Sequence, residues 1–190
     1  MSLQRLRYSA ITSLDGYVAD STGRFDWARP TEELHRLVND SEREVGTYLY
    51  GRRMFEVMRY WDAADESADR SSTSAEYRRI WQSADKVVYS ATLTEVSTRR
   101  TRLVPRFDAE EVRRLKEESQ ADLSVGGPTL AAEAFRAGLV DELTLYLTPV
   151  NVGGGTAALP ADVPLELHLL EQRTVGGVAM LRYAVRSSAA

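Results

Sequence analysis

Twice in this chain an apolar, strand-like run ends on glycine and a helix-like run begins at once. The first corner is Thr47-Tyr48-Leu49-Tyr50-Gly51-Arg52-Arg53 and the second is Leu123-Ser124-Val125-Gly126-Gly127-Pro128-Thr129-Leu130. Around them, strand-like and helix-like stretches alternate through the first two-thirds of the sequence, which predicts an α/β fold with a mostly parallel central sheet and helices on both faces. The strand candidates are 6–13, 47–50, 86–90, the short 103–104, 123–125 and 142–150. The helix candidates are 31–43, 51–58, 75–82, 109–119 and 128–137, the fourth with Asp108 at its cap and Glu111 placed as in a capping box. Gly138 marks the stop of the last helix. Segments 165–174 and 178–186, turned by Gly176-Gly177, predict an antiparallel C-terminal hairpin. The stretch 63–74 reads as an exposed loop, and Gly153-Gly154-Gly155 as a flexible turn between strands.

A length of 190 residues with no linker or repeat points to one domain spanning 1–190. Lys and Arg number 24 against 28 Asp and Glu, a net charge of −4, which argues against a general nucleic-acid binder. The chain has no cysteine and two histidines, His35 and His168, so a disulfide framework, a thiolate zinc site and a histidine-rich metal site are not expected. His35 falls on the polar side of its helix and is expected to be exposed; neither histidine reads as a catalyst. The N-terminus is too polar for a signal peptide and no apolar run approaches ~18 residues, so a cytoplasmic protein without membrane contact is the expectation.

The two glycine corners carry the strongest chemical signal. Glycine lets backbone approach a ligand closely, and a helix N-terminus offers free amides and a favourable dipole to an anion. Arg52 and Arg53 add forked donors that match phosphate oxygens. A tight turn with two solvated arginines explains the first corner about as well, and helix–sheet packing explains the paired glycines of the second. In open α/β sheets ligands bind beyond the carboxyl ends of strands, where both corners fall. A third strand end, Ser90-Ala91-Thr92, offers hydroxyls to a ribose or its phosphate. Within the long connection 15–29, the segment Asp15–Trp27 is a candidate lid, with Asp15, Asp26 and Trp27 in reach of a substrate. Trp61 and Trp81 read as core or cleft-wall aromatics.

Four stretches in order, Ser13-Leu14-Asp15-Gly16-Tyr17-Val18-Ala19, Tyr50-Gly51-Arg52-Arg53-Met54-Phe55-Glu56 with Trp61, Lys86 to Leu93, and Val125-Gly126-Gly127 through Gly138-Leu139-Val140-Asp141-Glu142-Leu143 to Pro149, resemble the dihydrofolate-reductase-like reductases. The resemblance is to the stand-alone branch related to the C-terminal reductase domain of bifunctional riboflavin-biosynthesis proteins. It implies a mixed sheet binding NADPH across its strand ends. Gly51, Arg52 and Arg53 would meet phosphates, Ser90, Ala91 and Thr92 the adenosine 2′-phosphate end, and Val125, Gly126, Gly127, Thr129 and Leu130 the pyrophosphate. Ala10, Val18 and Ala19 would approach the nicotinamide; Asp15, Trp27 and Trp61 would lie on the substrate side. Met54 replaces the threonine usual in dihydrofolate reductases, and the arginine-rich substrate-phosphate stretch of the riboflavin enzyme is not evident. The implied activity is NADPH-dependent hydride transfer to a small pteridine- or pyrimidine-like heterocycle or a related carbonyl or imine, with Asp15 or Asp26 as the catalytic acid, directly or through a water that one of them holds. A non-catalytic NADPH- or pterin-binding module is the alternative. The branch also implies an isologous homodimer, paired through its sheet or C-terminal strands.

Overall fold

The computed structural model describes residues 4–62 and 71–186. Ten strands and five α-helices follow one another as β1 (Leu6–Thr12), β2 (Tyr17–Asp20), α1 (Glu32–Glu42), β3 (Val45–Gly51), α2 (Arg52–Met58), α3 (Ser72–Ser83), β4 (Asp85–Tyr89), β5 (Thr101–Val104), α4 (Ala109–Glu118), β6 (Asp122–Gly126), α5 (Pro128–Arg136), β7 (Glu142–Leu147), β8 (Gly155–Ala157), β9 (Glu166–Val175) and β10 (Val178–Arg186). Eight strands form one sheet in the order β5-β4-β3-β6-β1-β7-β10-β9. From β5 to β7 the pairs are parallel, while β10 runs antiparallel to both β7 and β9. The sheet expected from alternation is thus present, with the hairpin as its antiparallel end.

Strand alternation sorts the core onto the two faces. On one, Leu6, Tyr8, Leu49, Leu123, Val125 and Leu143 pack with Val112 of α4 and Leu130, Ala134 and Phe135 of α5. On the other, Tyr48, Tyr50 and Val88 pack with Phe55, Met58, Tyr77 and Trp81 from α2 and α3, and Leu34 of α1 packs with Tyr146, Val178 and Met180. Ionic contacts pin the amino ends of the strands. Arg5 reaches Asp122 at 2.7 Å and Glu142 at 2.9 Å, and the buried Arg7 reaches Asp122 at 2.5 Å and also pairs with Glu44.

Several expectations need correction. The connection 15–29 is not bare loop: it holds β2 and a 3-10 turn, Asp26–Ala28. Gly155 opens β8, which pairs antiparallel with β2; a Cβ there would stand 2.1 Å from the Ala19 carbonyl, so the residue serves close strand approach rather than flexibility. Strands this short carry too few residues for alternation to be read. Of the loop expected over 63–74, residues 63–70 lie outside the described residues, and α3 already begins at Ser72 on a Ser71 cap. Asp108 caps α4 through the Glu110 amide, but Glu111 pairs with Arg102 at 2.6 Å instead of closing a capping box. His35 is half-buried, its ring 5.6 Å from that of Tyr77 and 6.2 Å from that of Trp61, and burial pushes its pKa down.

One buried charge gives a pH test. Lys86, 1% exposed, donates to the Trp81 and Ala84 carbonyls at 3.0 Å each. Burial pushes its pKa from 10.5 down to about 8. Between those values the unfolded chain holds the proton that the folded chain has released, so this residue makes stability rise with pH across that window. Urea unfolding at about pH 7.5 and about pH 9.5 should show wild type gaining on Lys86→Met at the higher pH; a pH-independent difference contradicts the assignment.

Candidate functional site

Because β3, β4, β6 and β1 are parallel, their carboxyl ends meet at one edge of the sheet. Registers of Tyr50 with Gly126 and Gly51 with Tyr89 place the two glycine corners on adjacent strands and the Ser90–Thr92 turn beside them. Helix capping separates these corners from the rest of the molecule. At α1, α3 and α4 a Thr31, Ser71 or Asp108 side chain accepts from an amide of the first turn. α2 and α5 instead start on Gly51 and Gly127, with no side-chain cap. The first-turn amides of α5, including those of Thr129 and Leu130, therefore face the strand ends without a side-chain acceptor.

The glycines are not equivalent. A Cβ on Gly126 would lie 2.5 Å from the Tyr50 ring and 3.2 Å from Met54, so packing alone demands glycine. Gly127 has φ +89 and meets Met54 at 3.2 Å, which again demands it. Gly51 has an ordinary φ of −76, and its Cβ would meet only Leu130, at 3.9 Å. Among the described residues nothing requires glycine there; the space beside it is a cradle that a side chain would fill.

The third strand end is tied to the first. The Ser90 hydroxyl accepts from the amides of Thr92 at 3.2 Å and Leu93 at 3.0 Å. Arg52 donates through Nη1 to the Thr92 hydroxyl at 3.0 Å and through Nε to Glu56 at 2.7 Å. Ala91 and Arg53 are exposed at the same edge. Ala10 falls two residues beyond the Tyr8–Val125 pair, so it sits on the neighbouring strand next to the second corner. Val18 and Ala19 lie half-buried on β2.

The substrate-side residues come out differently. Asp15 is exposed, and its carboxylate accepts from the amides of Val152 at 3.1 Å and Gly153 at 2.7 Å, clasping the loop before β8. The Ser13 hydroxyl first, and then these amides, hold its carboxyl below the usual carboxylate range. In this structure the Asp15 carboxylate clasps the turn, whereas a catalytic acid needs the opposite shift. Asp26 is exposed on a shallow depression of about 560 Å³ that it shares with Phe25, Arg29 and Pro30, without the burial that an acid role calls for. Trp27 stands next to it, half-buried, with its indole Nε1 enclosed and lacking a hydrogen-bond partner. Trp61 is spent on packing: its ring lies 4.8 Å from Tyr77, and its carbonyl accepts from Arg78 and Gln82. Sequence reading missed Thr12, whose buried hydroxyl at the end of β1 also has no partner among the described residues, and Tyr50, whose ring lies against Gly126 at the second corner. An alternating strand carries no signal for either role.

Among the described residues no group of three or more acidic or histidine side chains is arranged to hold a metal ion, and no helix is long and apolar enough to cross a membrane. Comparison with known proteins finds an uncharacterized Bacillus subtilis (strain 168) protein, YyaP, 28% identical over 184 residues, covering 95% of this chain and 94% of its own. Among solved structures, a Shewanella sp. PV-4 protein named for riboflavin biosynthesis superposes with a TM-score of 0.74 at 19% identity, over 97% of this chain and 100% of that one. Dihydrofolate reductase from Enterococcus faecalis, solved with NADP(H), superposes with a TM-score of 0.58 at 13% identity, over 96% and 97% of the two chains. These likenesses carry the dihydrofolate-reductase-like fold. The model of the RibD C-terminal domain matches residues 4–181, and the chain belongs to that family.

Proposed function

We propose that the protein is an NADPH-dependent reductase acting on a small pteridine- or pyrimidine-like heterocycle or a related carbonyl or imine. The observation that carries this reading is the pairing, on adjacent strands, of the uncapped α5 N-terminus with the open cradle at Gly51. The residues at the edge fit the coenzyme. The Thr129 and Leu130 amides would take pyrophosphate oxygens, the bare Gly51 backbone would admit the chain of phosphates, and Arg52 with Ser90 and Thr92 would face the adenosine end. Family membership and the NADP(H) bound to the Enterococcus faecalis enzyme support the same choice.

When bound, NADPH supplies a hydride to a C=N or C=O carbon, and a proton must reach the nitrogen or oxygen. Ala10, Val18 and Ala19 would form the wall beside the nicotinamide, with Trp27 on the substrate side. Asp26 is the carboxylate at the depression that could hold a proton-delivering water. The bonding of Asp15 and the exposure of Asp26 favour a second reading, a coenzyme- or pterin-binding module without turnover.

Isothermal titration with NADPH tests the first reading: Gly51→Ala should weaken binding by ~10-fold or more while costing less than about 1 kcal/mol in stability. Undiminished binding would remove the cradle from the site. In contrast, Gly126→Ala should lose about 1–3 kcal/mol on denaturant unfolding, because its methyl meets the Tyr50 ring. NADPH oxidation measured against panels of pteridines and pyrimidines decides between the two readings. Turnover that falls in Asp26→Asn supports the reductase with Asp26 in the proton path; tight coenzyme binding with no turnover on any panel member supports the module.

A further inference from the structure

We infer that Glu42, enclosed among tyrosines under the sheet, is a proton-operated latch on the second glycine corner: the fold packs it as a neutral acid, and its ionisation withdraws part of what holds Tyr50 against Gly126. The consequence for a ligand rests on the coenzyme reading above. Glu42 closes α1 and is 8% exposed. The elements packed around it present Arg7 from β1, Tyr48 and Tyr50 from β3, Tyr77 from α3 and Tyr146 from β7. Arg7, the cation in this set, is already engaged. It pairs with Asp122 at 2.5 Å and with Glu44, and it donates to the Ser41 carbonyl at 3.1 Å. A buried carboxyl without a counter-charge of its own favours its neutral form. Enclosure accordingly pushes the Glu42 pKa up, and the Tyr48 hydroxyl and the field of Arg7 offset this only in part. Burial pushes the four tyrosines up as well, so they stay neutral while Glu42 titrates.

Two donors that face this carboxyl lack acceptors. The Tyr48 hydroxyl and the Arg7 Nε are enclosed, and neither has an aligned partner among the described residues. An ionised Glu42 would be that partner, and a charge-assisted bond would draw the Tyr48 hydroxyl toward it. Tyr48 does not move alone, because its ring stacks on that of Tyr50 at 5.5 Å, 9° from parallel. The Tyr50 ring in turn lies where a Cβ on Gly126 would stand 2.5 Å away, and its hydroxyl is held by the Trp81 indole. Drawing Tyr48 away therefore removes one of the supports that set Tyr50 against the strand end before α5.

Wild type, Glu42→Gln and Tyr48→Phe compared from about pH 4.5 to about pH 9 test this. Above 4.5 the unfolded chain gives up the Glu42 proton while the folded chain keeps it, so this residue makes stability fall as pH rises. The urea midpoint of wild type should drop relative to that of Glu42→Gln by roughly 0.5 M or more, the titration of Lys86 being common to both. In wild type the carbon resonance of the Glu42 carboxyl should titrate above the ordinary carboxylate range, and the Gly126 amide shift should follow with the same midpoint. In Tyr48→Phe the carboxyl should still titrate and the amide should not follow. NADPH affinity should weaken across that midpoint by ~3-fold or more in wild type relative to Glu42→Gln. The wild-type resonances carry the decision should a variant fail to fold. A Glu42 carboxyl that titrates near 4.5, or that does not titrate by about pH 9, or a Gly126 amide that ignores it, overturns the latch. NADPH affinity that stays level across the midpoint overturns its hold on the ligand. A Gly126 amide that follows Glu42 in a protein that binds no NADPH at any pH upholds the latch and overturns the coenzyme reading.

Discussion

The edge of Tyr50 against the bare backbone of Gly126 sets how the candidate site is built. β3 and β6 run side by side in register at this point, and any side chain on Gly126 would collide with the ring. Because the ring is buried and its hydroxyl is held by the Trp81 indole at 3.2 Å, it cannot yield, and the start of α5 is brought down onto α2 at Met54. Two helices that begin this close, each on a glycine and neither with a side-chain cap, leave main-chain amides converging on a small region of solvent. Such amides call for an anion, and the pairing of capped helices elsewhere with uncapped ones here makes this edge different from the remainder of the surface.

The consequence for chemistry is a division of labour. The α/β layer fixes the two uncapped glycine corners, while the proposed substrate side depends on β2, β8 and the turn before α1. Asp15 belongs to that second part as a clasp: it ties the loop at Val152 and Gly153 to the end of β1. Its low-lying carboxyl is what a hydrogen-bonded structural carboxylate should show.

Much of the fold was legible in the sequence because long periodic segments and turn chemistry spell it out. The strand-to-helix corners at Gly51 and Gly127, the Gly138 stop and the Gly176-Gly177 hairpin all depend on local rules, and all fell where local rules put them. What was not legible depended on partners distant in sequence. β2 and β8 are short and exist through each other. His35 lies on a polar helix face yet is covered by Trp61 and Tyr77 from later elements. The packing reason for Gly126 is a tyrosine seventy-six positions earlier. The resemblance nominates Trp61 for the substrate side, while the residues alone read as core or cleft wall, and the folded chain shows its ring packed on Tyr77.

Backbone amide shifts followed by nuclear magnetic resonance as NADPH is added would read the convergent edge directly. The amides of Gly51, Thr92, Thr129 and Leu130 should move together along one saturable curve. Shifts confined to another part of the surface, or an unchanged spectrum at millimolar coenzyme, would contradict the view that these corners form one dinucleotide site.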